Sequence, residues 1–461
     1  MEDADALKNN KKKRRVNLKE SSSKSIPETD IAVGVGDIED FSPQETLTFR
    51  ASLLQWYYDN QRVLPWRKNQ SKKEEEDDVG QEREARAYAV WVSEVMLQQT
   101  RVAAVIDYYN RWMEKWPTVH HLARASQDEV NEMWAGLGYY RRARFLLEGA
   151  KIIVAGGDFP KSVSTLRSIR GIGDYTAGAI ASIAFKEAMP VVDGNVIRVI
   201  ARLKLISANP KESATVKSFW KLAGQLVDPC RPGDFNQALM ELGATLCTPL
   251  SPSCSACPVS SQCSALAVSR TCESVQVTDY PTKVEKPRQR SDFSAVCVVE
   301  ISEGPETQEG AHSKNNKFLL VKRPEEGLLA GLWEFPSVIL DGEADLATRR
   351  KAMDQYLKKS FKLDAKKNFC ITLRENVGEY VHVFSHIRLR MYVELVVLHL
   401  KGGVNLLNKK EDKEKITWKL VDGKSIQNMG LTSGVRKVYN MIQKFKQSRP
   451  LTNSKIKRKR S

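Results

Sequence analysis

Two acidic residues and four cysteines are the groups of this 461-residue chain whose types and spacing best suit chemistry. Glu94 lies in YAVWVSEVMLQQT, where helical geometry would set Val90, Trp91 and Leu97 around its carboxyl. Apolar surroundings disfavour the charged form and raise a carboxyl pKa, the condition a general acid needs near neutral pH. The competing reading is a solvent-facing carboxylate on an amphipathic helix. Asp193, in VVDGNVIRV, follows an apolar run and precedes a helix, so it suits an N-cap, with Asn195 supporting the turn. It also suits the second member of a carboxyl pair. Cleavage of an N-glycosidic bond needs an acid to neutralise the departing base and a carboxylate to stabilise a cationic sugar.

The four clustered cysteines are Cys247, Cys254, Cys257 and Cys263, in a C-x6-C-x2-C-x5-C pattern, whereas Cys230, Cys272, Cys297 and Cys370 are scattered. Four thiolates so close in sequence suit an iron–sulfur cluster or a tetrahedral zinc, with a first gap wider than usual zinc spacing. Gly171-Ile172-Gly173 reads as a turn between two helices, either a hairpin that needs glycine only to turn or one whose glycines let backbone N–H groups approach an anion such as a DNA phosphate. Tyr139 and Tyr140 follow a glycine turn and open an Arg-rich helix. Aromatic rings can wedge between bases while guanidiniums hold phosphates; the equal alternative is a packed aromatic pair beside a solvated basic face. Gln98 and Gln99 add amides able to hydrogen-bond a base edge.

The net charge of +16 resembles a nucleic-acid signature until it is located. Residues 8–15 and 449–461 each carry six basic and no acidic side chains, which leaves about +4 for the body. These basic runs read as nuclear-import signals, with a mitochondrial share left open. The charged N-terminus offers no secretory signal, and no window is long and apolar enough for a membrane span, so an intracellular protein is expected.

The elements that must position these groups fall into two textures. Residues 1–45 read as a disordered basic tail. From 46 to 264 apolar residues recur at helical spacing, which predicts an all-α domain closed by the cysteine loop. Helices are expected at 88–101, 102–115, 126–135, 141–155, 162–169, 174–186, 194–206, 212–228 and 234–246. Residues 70–85, with the KKEEEDD run, read as a solvated loop. Residues 265–291 lack periodicity and read as a linker. In 292–446 strand-like segments, among them SAVCVVEI, KFLLVKR and LWEFPSVIL, a helix from 346 to 359, a long antiparallel pair and a last helix from 432 to 446 predict a mixed α+β domain. Residues 447–461 form a basic tail.

Taken together, LPWR, WVSEVMLQQTRV, GLGYYRRAR, GIGDYTAGAIAS, VVDGNVIRV, FNQALMELGA and the cysteine loop closely resemble the MutY-type adenine DNA glycosylases of the helix-hairpin-helix superfamily. LLAGLWEFPS and VFSHIRL extend the resemblance into the C-terminal, Nudix-like domain. It implies removal of adenine mispaired with 8-oxoguanine, or with guanine, in double-stranded DNA during base excision repair. Glu94 would protonate adenine N7, and Asp193 would stabilise the sugar cation, as a bare ion or through a transient covalent adduct. Tyr175 and Asn195 would position these groups, and Arg67 and Gln237 would line the adenine pocket. Gln98 would contact DNA, Gln99 and Tyr139 would wedge into the duplex, and Gly171 and Gly173 would grip the backbone. Phe384, Ser385 and His386 would test for 8-oxoguanine. The cysteine loop would hold a structural, DNA-binding [4Fe-4S] cluster.

Relatives that also cut the strand carry a lysine where this chain has Tyr175, and a Schiff-base lyase needs that amine, so a monofunctional glycosylase is expected. The Nudix-like region DGEADLATRRKAMDQY lacks the closely spaced glutamates that hold Mg²⁺, which argues against nucleotide hydrolysis. The linker offers only Cys272, so no linker zinc is expected, and the tail lacks the paired aromatics of a sliding-clamp peptide. Linker and tails remain candidate contacts for repair and replication proteins, and a monomer is expected. The alternatives are an endonuclease III-like glycosylase for oxidised pyrimidines, disfavoured by Tyr175, and a non-catalytic lesion-binding scaffold, disfavoured by retention of both carboxyls.

Overall fold

The computed structural model describes residues 39–67, 80–285, 288–302, 316–361, 363, 369–400 and 416–448. The basic runs, and most of the loop expected at 70–85, lie outside them. Among the described residues eleven helices lead to the cysteine loop: α1 (Pro43–Asn60), α2 (Gln81–Leu97), α3 (Val102–Lys115), α4 (Val119–Ala123), α5 (Gln127–Trp134), α6 (Arg141–Gly156), α7 (Val163–Leu166), α8 (Asp174–Phe185), α9 (Gly194–Leu203), α10 (Ser213–Leu226) and α11 (Pro232–Thr245). Local chemistry sets several starts. Ser42 and Glu45 cap α1 reciprocally with Pro43 in its first turn, and Ser126 and Glu129 do the same for α5.

These helices bury two apolar cores. Residues from α2 to α8 form one around Trp91, Trp112 and Trp134, and Leu332 of the second domain joins it. The chain's return brings α1 against α9–α11 to form the other, around Phe49, Val196, Ile200, Phe219 and Phe235. Each large side chain so buried contributes roughly 2–3 kcal/mol relative to exposure. The groups expected to react come from both lobes. The lobe packing, more than any one loop, therefore decides whether they meet.

The stretch read as linker from residue 265 begins as a helix, α12 (Ser264–Thr271), whose Ala265 and Leu266 are buried. Eight residues are too few for periodicity to declare themselves, and packing against α9 supplies what propensity does not. The expected strand across LWEFPSVIL is two short ones, β3 (Trp333–Glu334) and β4 (Ser337–Leu340), on different neighbours. Pro336 between them has no N–H to donate.

In the C-terminal domain β1 (Arg290–Ser302) runs parallel to β6 (Ile387–Leu400), which pairs antiparallel with β5 (Phe369–Val383). On the other side, β2 (Lys317–Lys322) pairs antiparallel with β1, β3 and β7 (Trp418–Asp422). Alternate residues of β1 enter opposite cores: Ala295, Cys297, Val299 and Ile301 one, Val296 and Val298 the other. Helix α13 (Leu346–Phe361) covers the first, and α14 (Gly423–Asn428) with α15 (Ser433–Ser448) covers the second. This helix-covered mixed sheet agrees with the α+β expectation. No helix among the described residues is long and apolar enough to cross a membrane.

Candidate active site

Glu94 faces inward on α2 and is 6% exposed. From α8, the Tyr175 hydroxyl donates to Glu94 Oε2 at 2.5 Å and also lies 3.4 Å from Met240 Sδ on α11. Burial raises the Glu94 carboxyl to about 7, despite the stabilising Tyr175 bond, and the neighbouring Asp193 charge pushes the same way. The solvent-facing reading of Glu94 is thus excluded. Tyr175 is raised well above the usual phenol by burial and by the Glu94 charge, so it remains a donor.

Asp193 takes the capping position its sequence allowed, within electrostatic reach of Glu94. It caps α9, its Oδ1 accepting from the N–H groups of Asn195 at 2.9 Å and Val196 at 2.8 Å. Its Oδ2 accepts from Asn195 Nδ2 at 2.8 Å. Burial raises its pKa, and the Val196 and Asn195 donors and Arg198 oppose the rise. Two carboxyls sit in one site with unequal donor sets, the arrangement that separates an acid from an anion.

Arg198 ties this capping turn to the cysteine loop. Its Nη2 donates to Asn195 Oδ1 at 2.8 Å and to Gly243 O at 2.6 Å, and its Nε donates to Cys247 O at 2.8 Å. Beneath Asn195, α11 approaches so closely that a Cβ on Gly243 would stand 2.6 Å from Asn195 Cβ. Arg67 reaches the site from the loop after α1. Its guanidinium pairs with Glu241 at 2.8 Å, and its charge favours the ionised form of Glu94. Gln237 lies one turn before Glu241 on α11, its amide donating to Gly233 O at 3.2 Å.

Glu241, which sequence reasoning missed, anchors this wall by accepting from Arg62 and Arg67. Burial works to raise its pKa, but those two guanidiniums overcome it and hold the carboxyl at about 2. The unfolded carboxyl therefore takes up its proton first on acidification, and the stabilisation present at neutral pH is lost as pH falls from about 4.5 towards 2. We expect Glu241→Gln to lose about 3 kcal/mol at pH 7, since it strands a half-buried cation. In urea unfolding its deficit should narrow between pH 5 and pH 3; a deficit independent of pH would exclude this account.

Gln99, Tyr139 and the hairpin glycines occupy exposed loops, and Gln98 is half-buried at the end of α2. Only Gly171 needs glycine for its backbone, with φ +90° and Phe145 filling the space a Cβ would take. Gly173 is extended with open space around it, so its contribution is close access and not conformation. Phe384, Ser385 and His386 form the turn between β5 and β6, closed by Phe384 N–H to Ile387 O at 2.8 Å, with Ser385 and His386 exposed. Tyr140, paired with Tyr139 in the sequence, is buried.

Residues 92–225 match the HhH-GPD superfamily of base excision DNA repair proteins, and residues 310–441 match the NUDIX domain. The chain is 56% identical to an adenine DNA glycosylase of Arabidopsis thaliana over 87% of its own length and 66% of that protein's. It is 43% identical to the Rattus norvegicus adenine DNA glycosylase, over 87% of this chain and 79% of that one. The Schizosaccharomyces pombe enzyme of the same name is 37% identical over 77% and 83%. The chain belongs to the adenine DNA glycosylase family. Its helical domain is accordingly of the HhH-GPD type and its C-terminal domain Nudix-like. It spans about two thirds of the plant relative.

The glycosylase's cysteine loop leaves α11 through Cys247, makes two short turns at Cys254–Ala256 and Ser260–Gln262, and enters α12 at Cys263. Arg202, itself buried, donates to Cys247 Sγ at 3.1 Å. Burial pushes the thiols of Cys254, Cys257 and Cys263 up, Cys257 to about 11, and neighbouring sulfurs in the set add to each rise. No three His, Cys, Asp or Glu side chains among the described residues stand close enough to share one ion. Four cysteines with the buried Arg202 guanidinium beside one of them suit an anionic metal–thiolate centre.

Proposed function

We propose that this protein is a monofunctional DNA glycosylase that extrudes adenine paired with 8-oxoguanine, or with guanine, and hydrolyses its glycosidic bond. The observation that carries the reading is the buried Glu94 carboxyl, bonded to Tyr175 and facing the charge of Asp193. Glu94 gives its proton to adenine N7, the C1′–N9 bond breaks, and its electron pair leaves with the base. Asp193 balances the cationic C1′ until water adds there and surrenders a proton to the carboxylates. Asn195 keeps Asp193 oriented, while Arg67 and Gln237 border the adenine. Tyr175 occupies the hairpin position a lyase amine would need, so the product is an intact strand with an abasic site.

Outside this centre, Gln98, Gln99, Tyr139, Gly171 and Gly173 are proposed to hold and unstack the duplex, and Phe384, Ser385 and His386 to meet the opposite 8-oxoguanine. Cys247, Cys254, Cys257 and Cys263 would hold the [4Fe-4S] cluster, which supplies structural cross-linking and a DNA-facing loop. The protein would act as a monomer and reach the nucleus through its basic runs.

Single-turnover excision on duplexes containing A:8-oxoguanine, A:G, A:T or thymine glycol tests the reading. The first should be cut fastest, with strand breakage only after added alkali. Fastest release from thymine glycol would favour the endonuclease III-like alternative, and no release from any duplex would favour a scaffold. Purified protein should contain about four irons per chain; zinc without iron would remove the cluster.

A further inference from the structure

Two exposed loops of the helical domain share one buried cation. Gln99 and Tyr139 have left-handed backbone, φ 53° and 47°, which residues other than glycine adopt only at a cost. Arg142, on α6, lies behind both. Its Nη1 donates to the carbonyls of Val95 at 2.9 Å, Met96 at 3.0 Å and Gln98 at 2.7 Å. Its Nη2 donates to Thr100 Oγ1 at 3.3 Å, Leu137 O at 3.4 Å and Gly138 O at 3.1 Å. Four of these six acceptors lie within two residues of Gln99 or Tyr139. The guanidinium carbon is 5.2 Å from the centre of the Trp134 ring and 5.5 Å from that of Tyr139. The Arg142 N–H also donates to Tyr139 O at 2.9 Å.

We infer that Arg142 is a positioning residue that locks the Gln99 and Tyr139 loops into one pre-formed unit, so that both side chains enter the duplex together. The inference rests on the proposed function, in which those two residues unstack DNA. A planar fork with five donors can hold acceptors on both loops at once, whereas a lysine ammonium reaches one group of them. Every partner is a carbonyl or a hydroxyl, so the cation is used to organise backbone, not to neutralise a carboxylate. Loops ordered in advance spare the ordering cost that would otherwise fall on base extrusion.

The test uses the full chain and a mutant cycle. Arg142→Lys should slow single-turnover excision from an A:8-oxoguanine duplex about tenfold or more while leaving affinity for undamaged duplex within about threefold. In a Gln99→Ala/Tyr139→Ala background the same change should alter the rate less than about twofold. An equal slowing in both backgrounds, or none in the wild type, would overturn the inference. If Arg142→Lys does not fold, Thr100→Val, which keeps the shape but deletes the hydroxyl that accepts from Arg142 and donates to Gln98 O at 3.2 Å, replaces it: slowing in the wild type and neutrality in the Gln99→Ala background are expected, and equal effects overturn the idea. Hydrogen exchange without DNA reads the clamp independently of excision. The amides of Thr100, Leu137 and Arg142, each hydrogen-bonded within these loops, should lose protection together in the Lys or Val variant. Loss in neither loop, or in one alone for Arg142→Lys, refutes the clamp even where the wild type excises adenine.

Discussion

Glu94→Gln is expected to abolish adenine excision and, above pH 7, to make the protein harder to unfold. The loss follows from the role: glutamine keeps the shape and still accepts the Tyr175 hydroxyl, but has no proton of suitable acidity to give, which removes a factor on the order of 10²–10⁴. The gain follows from burial. The carboxyl titrates near 7 in the folded protein and near 4.5 when exposed, so the folded state holds the extra proton between those values. Stability from this group is complete below about 4.5 and falls as pH rises through 7, by on the order of 3 kcal/mol in all. Glutamine has no charge to bury at high pH. Excision by the wild type should be level below pH 7 and drop about tenfold per unit above it. Urea unfolding at pH 6 and 8.5 beside single-turnover rates checks both halves, and a variant with a tenth of the wild-type rate, or one destabilised at pH 8.5, would contradict the assignment.

For Asp193→Asn the expected rate loss is also large, on the order of 10³, with stability within about 1 kcal/mol of wild type. Asparagine caps helices as well as aspartate does, so the bonds to Asn195 N–H and Val196 N–H can persist. The charge that balances the cationic sugar cannot. There is a further cost in geometry. The new amide would face the Asn195 amide nitrogen, which cannot turn round without presenting that nitrogen to Arg198. Removing the Asp193 charge also removes one of the causes that raise Glu94. The residual activity should therefore show its alkaline fall at lower pH than the wild type. An unmoved midpoint would mean that the two carboxyls do not sense each other.

Much of this arrangement can be read before folding because its parts are local. The apolar spacing around Glu94 marks it as a carboxyl that burial could reach, with a solvent-facing position as the other reading, and VVDGNVIRV announces a capped helix. Which carboxyl meets which is a long-range matter, decided by two lobes closing on each other. Glu241 gave no such local signal: in ALMELGA it resembles any helical glutamate until Arg62 and Arg67 arrive from far up the chain. Arg198 was closer to legible, since it lies one turn after Asn195 and could only point along the same face. Short elements were lost for a different reason. Helix α4, five residues long, and the broken pair β3 and β4 hold too few residues for a period to register, and their form is dictated by neighbours.

The contact between Gly243 and Asn195 has a consequence for how variants of such proteins are judged. A methyl group there would meet the Asn195 Cβ and the Asn195 carbonyl, atoms fixed to the backbone that cannot swing aside, and would force α11 and the first turn of α9 apart. An alanine would be ranked among the mildest of replacements by chemical similarity, and Gly243 touches neither of the paired carboxyls through a side chain of its own. Yet it sets how closely α11 approaches Asn195, whose amide holds Asp193 Oδ2 at 2.8 Å. Harmful inherited changes in this family should therefore be sought where helices meet too closely for an added methyl group, as well as among the residues that carry charge.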